Sequence, residues 1–558
     1  MPNWRPFSMH WTYITFLTIL ALGLAGLQEF LCQLSMRKEE KDGGLLVFVA
    51  PQDIPMMDFF LWKYAPTLIL VSYGILWQIT EFDVKRLEPY YQLSRPTGAL
   101  AAESLNIDYS VFISYLTPIM ALRYRQVAVS ISAVATLLAS GLVPVLQSAA
   151  LDIYPDEEER KSNDQKFVRV DPAWSRATSI TLGVVALCGI YLLFQLRRKS
   201  GLMSDPNGIA GIAAMATRSH ILEDFRGLDT APPSVIHKQL RHRRYILHKS
   251  SLWQGAYERN TVEKEEDQKQ KPENPKALIL RLKAGIPFIG YMVLCSALLP
   301  LFIFVEAAND LTEKLPFLLV LVATSIKLLW NSLDSDIRLL EPFYWLSCRH
   351  APPRILTLDY TGTVPGWVVI KSAMNKHFIV AAVGLGSIMC EVLTVTVSSF
   401  TVDGRQFFPD HDSSSSSSLD DEDDARNRLN SGETYKSFWI SFALSEVILV
   451  LLCIMAAITY ARRRHKFLPR EPGTIASVLA YIHQSNMLKD FVDTEKLDSR
   501  AMTAHLEKLG KTYALGWFVG RDGLDHCGID AEEMWGRYQY GVDKDKGRLI
   551  EVGGVDRY

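Results

Sequence analysis

Eight stretches of this sequence are nearly free of charge and long enough to cross a bilayer: 9–28, 64–80, 127–151, 179–196, 285–305, 315–333, 378–400 and 438–460. A hydrocarbon core about 30 Å thick needs roughly 17–25 apolar residues in helical form, because in lipid every backbone polar group must be bonded within its own segment. The expected fold is therefore an all-α integral membrane protein with eight transmembrane helices. A hydrophobic fraction of 48% over 558 residues would suit a soluble chain, so it is the clumping that excludes a soluble multidomain enzyme. With 59 basic against 61 acidic residues there is no overall field for nucleic acid, and no nucleic-acid partner is expected.

The first run exceeds the roughly 7–15 apolar residues of a cleaved signal peptide and reads as a retained anchor. Summed over alternate connecting segments, Lys and Arg number 44 on one side and 13 on the other, which predicts both termini in the cytosol. Helix 1 alone disagrees, with Arg5 before it and Arg37, Lys38 and Lys41 after it. The seven cysteines avoid the predicted outer loops, which suits a protein without a disulfide framework.

The chain also repeats itself. Trp77, Asp83, Glu88, Pro89, Tyr91, Leu93 and Ser94 recur 253 residues later as Trp330, Asp336, Glu341, Pro342, Tyr344, Leu346 and Ser347. Leu105, Asp108 and Tyr109 recur as Leu356, Asp359 and Tyr360, and from Arg197 to Phe225 a third block recurs at an offset of 266. Three ordered blocks imply two parallel units, each of four membrane helices and a small cytosolic module. The expected boundaries are 1–196 and 197–258 for the first unit and its module, 259–284 for a charged linker, then 285–460 and 461–558. The doubled E-P-x-Y-x-L-S block after a hydrophobic helix, with the later L-D-Y, resembles a fungal family of multi-pass membrane proteins built on a repeated domain of unknown function. That resemblance implies fungal origin and membrane location, and it brings no activity, ligand or catalytic residue.

Glu88-Pro89 and Glu341-Pro342 are expected to end their helices, since a residue before proline avoids helical geometry. The block reads first as a rigid elbow with an aromatic anchor and second as a binding site using Asp83/Asp336 and Glu88/Glu341. The uncharged stretches 109–122 and 360–370, after Asp108 and Asp359, are too short to span and suit interfacial or re-entrant segments. Arg197, Arg198 and Lys199, and Arg462, Arg463 and Arg464, are basic juxtamembrane runs. The amphipathic helix after each run either docks on its own module or lies on anionic lipid. Ser413–Ser418 and Asp420–Asp424, within the outer loop 401–437, read as a low-complexity spacer or a local concentrator of cations.

No H-E-x-x-H, G-x-S-x-G or paired C-x-x-C occurs, and His526-Cys527 lacks matching ligands nearby in sequence, so no catalytic, metal or cofactor site is expected. Mechanistic weight falls on Lys327, Glu391 and Glu446, three charges near the membrane midplane that cannot all face lipid. They read as ion-pair glue or as an ion pathway. A membrane scaffold presenting its modules to cytosolic protein partners is expected, with an ion or small-solute transporter or channel as the alternative.

Overall fold

The computed structural model describes residues 2–42, 45–48, 56–109, 116–154, 166–255, 275–304, 315, 317–398 and 435–540. The acidic tract, most of the linker and the last 18 residues lie outside them. The first half opens with α1 (Trp11–Asp42), followed by β1 (Leu46–Phe48), a short helix Met56–Lys63, α2 (Ala65–Leu93) and β2 (Ala99–Leu100). A short helix Thr117–Arg123 leads into α3 (Val127–Ser148), then come β3 (Leu151–Tyr154), β4 (Lys166–Val170) and α4 (Pro172–Gln195). Asp171 starts α4 by accepting the N–H groups of Ala173 and Trp174, with Pro172 at the first helical position, where a missing N–H costs nothing. Next are α5 (Gly208–Ala216), a 3-10 turn Ile221–Phe225, α6 (Pro233–Leu240), and a hairpin of β5 (Arg244–His248) and β6 (Ser251–Gln254). Lys249 and Ser250, the two residues of its turn, both have positive φ, the geometry that matches strand twist in tight hairpins.

The second half contains α7 (Leu282–Phe304), α8 (Leu318–Ser347), a short helix Pro365–Met374, α9 (Phe378–Val397) and α10 (Tyr435–Arg462). It ends in α11 (Ile475–Ile482), a 3-10 turn Asn486–Phe491, α12 (Ser499–Lys508), β7 (Tyr513–Val519), β8 (Asp525–Ala531) and β9 (Gly536–Arg537). The two modules thus share one order: helix, 3-10 turn, helix, hairpin. Ala99 pairs with Tyr245 in the first, and the equivalent Ala351 bridges Tyr513 in the second.

Among the described residues, seven helices are long and apolar enough to cross a membrane: α1, α3, α4, α7, α8, α9 and α10. The expected eighth, α2, falls short because its C-terminal half carries Gln78, Glu81, Asp83, Lys85 and Arg86. Half or more of the apolar window is enclosed in α3, α8 and α9 but a third or less in α1, α4, α7 and α10, so the first three form the centre. The fold is not all-α. Strands β1, β4 and β3 build an antiparallel sheet in that order, and each module has a small sheet of its own. Nor do the prolines end their helices: α2 runs through Pro89 to Leu93 and α8 through Pro342 to Ser347. Proline removes one helical hydrogen bond, and here the side chains around it are pinned by contacts described below.

Candidate functional site: a polar cavity between the two halves

Helical spacing places Glu88, Tyr91 and Gln92 on one face of α2, and Glu341, Tyr344 and Trp345 on one face of α8. Arg198 donates to both Glu88 oxygens at 2.9 and 2.8 Å and lies over the Tyr91 ring, while Gln92 Nε2 donates to the same carboxylate. Arg463 repeats this with Glu341, over the Tyr344 ring at 3.5 Å, and Trp345 Nε1 donates to Glu341 at 3.0 Å. One arginine of each basic run therefore turns inward, whereas Arg197, Lys199, Arg462 and Arg464 are exposed. Arg463 matches Arg198 rather than Arg197, a one-residue shift from the 266 offset: α4 stops at Gln195, short of its arginine, whereas α10 runs to Arg462, the residue before Arg463.

The L-D-Y blocks behave differently: they cross between halves. Ala210 N–H donates to the Leu356 carbonyl at 2.9 Å, and Ala476 N–H to the Leu105 carbonyl at 3.0 Å. Gly208 permits the first approach, having φ +61 and space for a Cβ only 2.6 Å from the Leu356 oxygen. Asp359 thereby joins Asp83 and Asp205 of the other half around Arg86, whose guanidinium lies 3.6 Å from Asp83 and 3.2 Å from each of the other two. Asp108 crosses the opposite way to Asp336 and Glu471, but there Leu339 stands at the position of Arg86. Burial pushes the Asp205 carboxyl up to about 6 even with Arg86 beside it. Burial, then Asp108, push Glu471 up to about 8. Tyr109 and Tyr360 anchor the starts of α3 and α9, bonding Gln126 and His377 at 2.7 Å.

Between these crossings lies a cavity of about 180 Å³ lined by repeat-related pairs, among them Arg86 and Leu339, Asp108 and Asp359, and Pro206 and Pro472. A larger cavity of about 250 Å³ shares Phe82, Lys85, Tyr109, Arg338 and Thr361 with it and extends to Gln78, Asp334 and Glu391. Beside the second cavity, Lys327 pairs with Glu391 at 3.1 Å and donates to the Ser140 carbonyl at 2.5 Å. That carbonyl belongs to a widened π turn, Leu137–Leu142, inside α3, a feature often found at functional sites. Gln78 donates to the other Glu391 oxygen at 3.2 Å. Lys327 is wholly buried, so its charge is held by α3 and α9 together. Glu446 does not join this pair. It takes a hydrogen bond from Ser296 at 2.6 Å, because α10 packs against α7 on that face.

Sequence reasoning missed Arg86, Gln78 and the Asp334–Arg338 pair, bonded at 2.8 Å. Arg86 sits inside the gap of the repeated pattern, where its counterpart is leucine, so repetition could not single it out.

This is a polytopic membrane protein whose halves each contribute a helix pair to one cavity carrying several polar side chains. The family model described as "Protein of unknown function (DUF3433)" matches the chain twice, at residues 60–152 and 315–402. Those stretches contain α2 and α3, and α8 and α9, the helices around the cavity, together with both E-P-x-Y-x-L-S blocks. No curated protein and no solved structure matches the chain.

Proposed function

We propose that the protein binds and passes an ion or small polar solute through the cavity between its two halves. The observation that carries this reading is Glu391, paired behind the wall with the buried Lys327, lining a cavity of about 250 Å³ together with Gln78, Asn331, Asp334 and Arg338. A cavity of that size has room for water beside these polar side chains, and charges retained there at a cost in membrane insertion mark solute or ion pathways. On this reading α2 is an eighth span, its polar face turned to the cavity instead of lipid. The units are parallel four-helix repeats, and the modules with both termini lie in the cytosol. The scaffold reading uses the same modules and predicts bound partners with no flux. Purified protein in liposomes loaded with a pH-sensitive dye, under a potassium or proton gradient, separates the two. The expected result is flux that Glu391→Gln reduces at least tenfold at unchanged protein content. Absence of flux from the unaltered chain overturns the transport reading.

A further inference from the structure

Asp229 lies on the loop before α6, His483 follows α11, and His526 sits on β8. Linear spacing cannot associate them, since Asp229 belongs to the first module and both histidines to the second. Their three potential ligand atoms all lie within 4.8 Å of one another. His526 Nδ1 is 3.0 Å and His483 Nε2 3.5 Å from the same Asp229 oxygen, Oδ1.

The outer ring nitrogens determine what the inner ones present. His483 Nδ1 is 3.3 Å from the Ala480 carbonyl, which can only accept, so the hydrogen sits on Nδ1 and Nε2 offers a lone pair. His526 Nε2 lies 2.9 and 3.1 Å from the Asp522 carboxylate oxygens, so in the neutral ring its hydrogen is there and Nδ1 turns its lone pair toward Asp229, whereas the doubly protonated ring donates to both carboxylates. His483 Nε2 is buried and has no hydrogen-bond partner among the described residues, in a side chain only 2% exposed. With His526 in its neutral form, two imidazole lone pairs and the Asp229 carboxylate oxygen converge, the donor set a divalent cation takes. We infer that Asp229, His483 and His526 bind a divalent transition metal of the zinc class that ties one module to the other.

The ligand set and spacing suit that ion. Bonds of about 2.0–2.1 Å in a tetrahedral site separate ligand atoms by about 3.3 Å, between the two distances seen. Ligand histidines usually donate their other N–H to a carboxylate or carbonyl, as both do here. The Asp229 loop is held in place by Arg470, whose Nη1 donates to the carbonyls of Leu228 and Asp229 at 2.8 Å. The repeat supplies an independent argument. The counterpart of Asp229 at the 266 offset is Glu495, and there Arg218 crosses between modules to place a guanidinium 3.0 Å away. At one junction a guanidinium pairs with the carboxylate directly; at the other Arg470 bonds only the backbone carbonyls of the loop, and two imidazoles approach the Asp229 carboxylate.

The test uses tag-free full-length protein in detergent, with exposed Cys348 changed to Ser, stripped by chelator and titrated with Co²⁺ and then Zn²⁺. One equivalent of Co²⁺ should give the visible absorption of a low-coordinate nitrogen and oxygen site, and one equivalent of Zn²⁺ should erase it. His483→Ala and His526→Ala should each weaken Zn²⁺ binding by about 100-fold or more, and Asp522→Asn, which keeps all three ligands, by about 10–100-fold. The inference fails if the unaltered protein takes up no stoichiometric metal. It fails equally if binding survives undiminished in the folded histidine variants, or in Asp522→Asn where those do not fold.

Discussion

At the scale of single residues, the repeated Glu-Pro-x-Tyr block is a socket for an arginine. Glu341 and Arg463 are 3% and 4% exposed side chains, so removing either leaves a buried charge without its partner. Arg463→Ala should therefore cost about 3–5 kcal/mol, read by thermal unfolding in detergent, whereas Glu341→Gln with Arg463→Met should recover part of the loss. Equal destabilisation by the single and double changes would contradict the socket. Glu471 gives a pH dependence. Its carboxyl is raised to about 8, so between the ordinary carboxylate range and pH 8 the folded chain holds a proton that the unfolded chain releases. That contribution is fully present below the unfolded value and is lost as pH rises through about 8. Thermal stability should thus fall toward alkaline pH, and Leu339→Arg, which recreates the Arg86 arrangement, should flatten the fall. A variant with the same slope as the unaltered chain would show that Leu339 does not stand in for the missing guanidinium.

At the scale of elements, much was legible because lipid demands long apolar runs, and seven of the eight runs reappear as helices with spanning character. What escaped has physical reasons. Strands of two to five residues around β1 to β4 bury too little to leave a periodic signal, and Pro89 and Pro342 are tolerated because Arg198 and Arg463 hold the flanking turns. The crossing of Asp108 and Asp359 was invisible for a different reason: an offset tells which residues are equivalent, not which half each one visits. α2 ends where Ser94 donates to the Lys199 carbonyl at the start of the first module. At about 1.5 Å per residue its 29 residues are about 44 Å long, enough to span. A tag inserted between Arg226 and Ser234 should therefore be accessible from the cytosol and one in Ser413–Ser418 from the other side. Access to both from one face would remove the topology.

At the scale of the molecule, the two stretches that match the family model are walls of one chamber, with the modules laced across its mouth. Arg218 reaches Glu495, Arg470 reaches the Asp229 loop, and α5 and α11 each bond the loop of the opposite half. The repeated positions make contacts within and between the halves, while the positions that differ between the repeats set the charge beside the chamber: Arg86 against Leu339, and Lys327 and Glu391 against Gly74 and Ser140. The central claim is that this chamber is wet and reaches the Lys327–Glu391 pair. The most direct measurement is the labelling rate of single cysteines by a charged, membrane-impermeant thiol reagent in a cysteine-free background. Asn331→Cys and Ser332→Cys, on the cavity wall, should react and be protected by Gln78→Trp, which fills the space beside Glu391. Ile454→Cys, on the exposed outer face of α10, should stay unreactive in lipid. Equal silence at all three positions would mean the cavity is closed to water, contradicting the account.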